Sequence, residues 1–295
     1  MTERFARPAP GPAAGGDILA ERIAPLLAFL RRRLHGDYEI DEFGFDEDLN
    51  ETVLMPIARV LYQHWFHVQV RDAWHVPDHG GALVVTNHSG TLPIDAIMLQ
   101  VCLLDDHPAH RHLRLLGADL VYAVPFLVHV ARKSGHALAS PVDAERLLRL
   151  GELVGVCPEG YKGLGKPFSQ RYHLQRFGRG GFAASAIRAG VPIIPCAIVG
   201  AEEIFPMIVN AKPLARLFGL PYFPVTPLFP WLGPLGAIPL PSKWLIGFGE
   251  PVPTDGYEPG AADDPAIVFD LTDQVRATIQ QMLYKLLPER GEAFG

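Results

Sequence analysis

Only three cysteines occur in the 295 residues, and Cys102, Cys157 and Cys196 lie in apolar runs without disulfide-like spacing. They read as small core residues in a reducing compartment. Lysine and arginine total 26 against 32 acidic residues, a net charge of −6, which argues against nucleic acid as a principal partner. No complete Gly-x-Gly-x-x-Gly, Walker or Gly-x-Ser-x-Gly signature is present, so dinucleotide, P-loop and serine-hydrolase chemistry find no support. Gly178-Arg-Gly-Gly181 is a short glycine run before a helix and only a weak phosphate-cradle signal. His107, His110 and His112 follow Cys102, but their spacing matches no closed zinc pattern and Asp105 to His112 reads as a solvated loop. No metal is expected.

An unbroken apolar span is also missing. Leu217 to Ser242 has no charged side chain, but prolines at 221, 224, 227, 230, 234, 239 and 241 forbid a continuous helix. With Phe218, Tyr222, Phe223, Phe229 and Trp231, flanked by Lys212, Arg216 and Lys243, the segment reads as a lip that dips into a membrane interface. The alternative is an irregular cover packed on the core or an oligomer contact. A lip would also account for a mean hydropathy slightly above zero.

What the chain does contain is apolar strands that stop abruptly at polar turns. Gly81-Ala-Leu-Val-Val-Thr86 runs into Asn87-His-Ser-Gly-Thr-Leu-Pro-Ile-Asp95, followed by the helix formers Ala96 to Leu104. Thr91 suits the helix cap and Pro93 its first turn. A carboxylate at 95 turned back on His88 would fix the ring tautomer and leave the other nitrogen free to take a proton from a hydroxyl. Leu153-Val-Gly-Val-Cys-Pro-Glu-Gly160 repeats the pattern, so two strand ends offer His, Asp and Glu to one crevice.

These blocks, with Val191-Pro-Ile-Ile-Pro195, resemble in order and spacing the glycerolipid acyltransferase family, whose best-known members acylate 1-acylglycerol-3-phosphate. The stretch from Gly180 to Glu203 most resembles the diacylglycerol-acyltransferase-like subgroup, and the likeness covers roughly residues 55 to 255. It implies that His88 deprotonates an acceptor hydroxyl attacking an acyl thioester and that Asp95 orients His88. Glu159 would hold the acceptor's glycerol hydroxyl, with Gly160 admitting substrate to the backbone. Six residues separate His88 from Asp95 where the family usually has four. The Ser89-Gly90-Thr91 turn must absorb the difference. The family's second-block arginine is missing from Gly135 to Pro141, and Lys162 stands where a bidentate arginine is usual. Arg171, Arg176 and Arg179 are the candidate replacements, toward either the acceptor or a coenzyme A donor; a solvated face is the alternative.

The expected molecule is therefore a peripheral acyltransferase on the inner, cytoplasmic face of the cell membrane. The acceptor would be a lysophospholipid such as lysophosphatidic acid, and the donor acyl-CoA or acyl carrier protein, with no cofactor. The alternatives are a neutral mono- or diacylglycerol acceptor, thioester hydrolysis, and an acyl-lipid-binding protein without turnover. The expected architecture is α/β, a mostly parallel twisted sheet flanked by helices in the glycerol-3-phosphate acyltransferase-like manner, with an N-terminal helical extension.

Residues 1–16 read as a flexible tail and 17–70 as the helical extension. Within it Ile23, Leu26, Leu27, Leu30 and Leu34 recur at helical spacing beside Arg31-Arg-Arg33, a face for a membrane surface or for the domain. Asp37 to Glu51 reads as a solvated acidic connector. Residues 71–295 form the catalytic domain, including the apolar Pro-rich segment 204–243 and a C-terminal helix over 265–287.

Overall fold

The computed structural model of the chain describes residues 15–89, 92–117, 125–258 and 260–292. Strand β1 (Gln69–Arg71) is short and largely exposed, whereas β2 (Ala82–Thr86), β3 (Leu113–Gly117), β4 (Ala137–Leu138), β5 (Leu153–Val156) and β6 (Ile193–Val199) follow the apolar runs. After β7 (Val209–Asn210) and β8 (Pro224–Val225), which pair only with each other, β9 (Leu245–Phe248) returns to the main sheet. That sheet has seven strands in the order β1-β9-β6-β2-β5-β3-β4. It is parallel as expected, except that β9 runs antiparallel to β6. Because β1 pairs with β9, the sheet begins at Gln69, inside the expected extension that ends at 70.

Helices α1 (Gly15–His35), α2 (Ile94–Asp105), α3 (Pro125–Lys133), α4 (Pro141–Arg149), α5 (Gly181–Ala189), α6 (Lys212–Leu217) and α7 (Pro265–Arg290) fill the connections. Pro93 occupies the position before α2; the expected cap, Thr91, lies outside the described residues. Strand side chains alternate between two covered faces, which explains runs with no polar position. Leu83, Val85, Ala197 and Val199 meet α5 and α7, whereas Val84, Cys196 and Ile198 pack with α2. Each such fully buried Val or Leu side chain is worth roughly 1.5–3 kcal/mol.

Two segments expected in solvent are built into the fold. In the acidic connector Asp46 is fully buried, where it caps the next helical turn and pairs with Arg33. Asp41 pairs at 2.7 Å with Arg114, itself buried against Phe43 and Phe45. Buried arginine demands such partners, which the sequence supplies from a stretch that otherwise looks like a linker. In the histidine loop His107 is buried and donates from Nε2 to the Val76 carbonyl at 2.9 Å. His110 donates likewise from Nδ1 to Leu104.

The apolar face of α1 stays largely uncovered: Ile23, Leu26, Leu27, Leu30 and Leu34 are exposed, and Phe29 alone among its described apolar side chains is buried. The Pro-rich segment exposes a second apolar surface, with Leu217 at 75% and Trp231 at 74%. Phe218, itself exposed, stacks on Phe223, which packs on Phe229, with centroids 5.9 and 5.6 Å apart. No described helix is long and apolar enough to cross a membrane.

Candidate active site

Parallel pairing of β2 with β5 brings the ends of the two strands together, Val85 opposite Val156. His88 and Glu159 both leave from this edge. Asn87 prepares the departure: its amide donates to the Ile198 carbonyl at 3.0 Å and accepts from the Ile198 N–H at 2.8 Å. His88 follows with a side chain 12% exposed, and its Nδ1 lies 2.8 Å from Oδ2 of the fully buried Asp95. The same oxygen accepts the Ser89 N–H at 2.8 Å. The six-residue spacing is therefore closed, with Asp95 in the first turn of α2. The Ser89 hydroxyl is buried without a hydrogen-bond partner among the described residues.

Burial disfavours an imidazolium here, but the Asp95 carboxylate and the nearby Cys157 sulfur outweigh it and hold the His88 pKa well above the ordinary histidine value. Asp95 also requires the proton of the pair to sit on Nδ1, so the neutral ring presents Nε2 as its basic nitrogen.

Glu159 does not point at open solvent. Its Oε1 accepts the His88 N–H at 3.0 Å and its Oε2 the Gln175 N–H at 2.6 Å. Lys166 lies 3.8 Å from Glu159 and 2.9 Å from Glu202, all three side chains buried. Burial pushes Glu202 up to about 7, opposed by Lys166. Gly160 adopts φ +53° and ψ −139° at the start of the single turn Tyr161–Leu164, a conformation that favours glycine. A side chain at Gly163 would stand 2.8 Å from the His88 carbonyl. Tyr222 reaches this turn from the Pro-rich segment: burial, with Asp95 and Tyr161 nearby, pushes its hydroxyl up to about 12.

The structure thus brings together His88, Asp95, Glu159 and Gly160 from the sequence expectation. The expected cations do not join them. Lys162, Arg171, Arg176 and Arg179 are exposed, and Arg171 stacks on Phe168, its guanidinium 4.4 Å from the ring centroid. Residues 175–178 do pass beside the Glu159 turn, through Gln175 and a 3.3 Å bond from the Gly178 N–H to the Pro158 carbonyl. Lys166, Glu202, Gln175 and Tyr222 were not anticipated. Lys166 alone carried a signal, as the second lysine, after Lys162, in the glycine-rich stretch that follows Glu159.

An acyltransferase family model matches residues 67–199. An uncharacterized protein of Mycobacterium tuberculosis (strain ATCC 25618 / H37Rv) is 56% identical over 276 residues, covering 94% of this chain and 77% of its own. A Gallus gallus protein named DGAT1/2-independent enzyme synthesizing storage lipids is 26% identical over 258 residues, 84% of this chain and 70% of that one. The crystal structure of the 1-acyl-sn-glycerophosphate (LPA) acyltransferase PlsC from Thermotoga maritima superposes with a TM-score of 0.55 at 16% identity, over 91% of this chain and 92% of that one. That superposition concerns the fold, which the two chains share. The paired strand ends lie within the span of the family model, and the chain belongs to the acyltransferase family.

Proposed function

We propose that the protein transfers a fatty acyl group from acyl-CoA or acyl carrier protein to a hydroxyl of a glycerolipid, lysophosphatidic acid or another lysophospholipid. The observation that carries this reading is the 2.8 Å His88–Asp95 bond at the end of β2. Asp95 holds the ring with Nε2 free for the acceptor hydroxyl. As that oxygen attacks the thioester carbonyl its proton passes to His88; collapse of the tetrahedral intermediate expels the thiolate, which takes the proton back. A thioester is already activated, so base, orientation and oxyanion stabilisation suffice. Glu159 contributes by fixing the His88 backbone, and its carboxylate, with two N–H partners and Lys166 nearby, is the polar floor on which an acceptor hydroxyl would rest.

The exposed apolar surfaces of α1 and of residues 208–238 support a peripheral position on a membrane, on the inner face of the cell membrane, where a lipid acceptor enters without crossing water. Tyr222 ties that second surface to the site.

A neutral acceptor, mono- or diacylglycerol, is the second reading. It is favoured by the state of the cations: Lys166 is engaged by Glu202, and the other candidates are exposed. The test is acyl-CoA-dependent thiol release by wild type and His88→Ala in lipid vesicles, with lysophosphatidate or monoacylglycerol added. Release that needs an acceptor and is lost in the variant supports the transferase, and the acceptor that works separates the two readings. Release without an acceptor identifies a thioesterase. Acyl-CoA binding without release under any condition sinks both transferase readings in favour of a binding protein.

A further inference from the structure

One thiol stands apart from the two packed core layers. Cys102 and Cys196 are fully buried, whereas Cys157 is only partly so, at the end of β5. There its sulfur meets the His88 imidazole and the Asp95 carboxylate, one donor atom from each, all within 4.8 Å of one another. Acyl transfer as written above uses His88 and Asp95 and gives the thiol no task. Sheet pairing sets this juxtaposition, since Cys157 and His88 leave neighbouring strands one and three residues beyond the register pair Val156 and Val85.

We propose that His88, Asp95 and Cys157 bind a thiophilic divalent cation of the zinc class, and that the bound ion inhibits the enzyme. Sulfur and imidazole donors select zinc or cadmium over magnesium or calcium, which require oxygen. Three protein donors leave one tetrahedral position for water. Carboxylate and thiolate together balance the charge of a dication, and binding releases the thiol proton together with the proton of the His88 imidazolium. The ion is an inhibitor because ligation occupies an imidazole lone pair and ties up the carboxylate that orients the ring. Binding stands independently of the reaction; inhibition rests on the proposed transferase activity.

Cadmium titration of metal-free protein reads binding directly through the ultraviolet thiolate-to-cadmium absorption band, with zinc as competitor. The expected result is one equivalent of band-forming cadmium, displaced by zinc. The band is lost in both Cys157→Ser and Cys157→Ala, and affinity falls by about tenfold or more in His88→Gln, as loss of a ligand requires. The group of exposed Glu47 and Glu51 with half-buried His112 offers a second place for a cation but no sulfur, so it gives no such band. Zinc should also suppress acyl-CoA-dependent thiol release reversibly on chelation, at concentrations about tenfold or more lower for wild type than for Cys157→Ser. A missing band, a band unaltered in His88→Gln, or equal zinc sensitivity of Cys157→Ser and wild type would each overturn the proposal. If no variant releases thiol at all, the cadmium titration still decides binding, while the transferase reading fails by itself.

Discussion

Glu159 holds the main chain of His88, its Oε1 accepting the His88 N–H at 3.0 Å across 71 residues of sequence. The carboxylate thus secures the backbone of the proposed base while Asp95 secures its ring. Glu159→Ala removes the acceptor of two part-buried N–H groups and takes a charge from beside the buried Lys166, which should lower stability by roughly 2–4 kcal/mol in urea unfolding. Glu159→Gln keeps one acceptor oxygen and should cost about half as much, with a larger loss in kcat than in stability would suggest, because the His88 turn is what loosens.

For Asp95→Asn the expected signature is in the pH profile. His88 acts as a base only when neutral, so kcat/KM rises with pH, with a midpoint above the ordinary histidine value because Asp95 favours the imidazolium. Removing the carboxylate should move that midpoint to lower pH and reduce the plateau by ~10²–10⁴, the usual worth of a positioned base. The stability contribution of the pair follows the same logic. It is fully present below the unfolded-state histidine pKa and is lost as pH rises through the raised folded-state value. An unchanged midpoint in the variant would remove Asp95 from the mechanism.

Gly163→Ala tests how tightly the two strand ends are packed. Its Cβ would stand 2.8 Å from the His88 carbonyl oxygen and 2.9 Å from the Glu159 Cβ, so the turn must move against the site. A destabilisation of about 1–3 kcal/mol is expected from overpacking, together with a fall in kcat that Gly181→Ala, where a Cβ meets nothing within 4 Å, should not show.

Replacing Leu217, Phe218 and Trp231 together by serine should leave the melting temperature nearly unchanged, since all three are exposed. Loss of their apolar area should nevertheless lower partition into anionic vesicles by about tenfold or more, as flotation would measure. Equal partition of variant and wild type would locate any membrane contact elsewhere, with the exposed face of α1 the next candidate.

How much of this was legible in the sequence depended on how local each feature is. The β2 and β5 strand ends were readable because an apolar run stopping at a polar turn is written in consecutive residues, and the family likeness named His88, Asp95 and Glu159 on the same short blocks. Closure of the longer His88–Asp95 spacing needed the geometry of the turn. Lys166 and Glu202 stayed hidden because their meaning lies in a contact across 36 residues, between groups that singly look like ordinary surface charges. Asp41 and Asp46 misled for the same reason: an acidic stretch looks solvated until the buried Arg114 and the Arg33 it must neutralise are placed beside it. The exposed arginines show the converse, since composition alone could not say which cations face the site.

Asn87 gives the sheet a rung made from a side chain. By donating to and accepting from Ile198 it imitates a paired residue at the point where the β2 main chain must turn away, so the chain can leave the sheet without leaving an edge group unsatisfied. An aspartate there could mimic only the accepting half and would press an anion against a carbonyl. The asparagine thus works as a hinge pin driven into the sheet, and the angle at which the His88 turn emerges is inherited from two strands that are buried along their whole length.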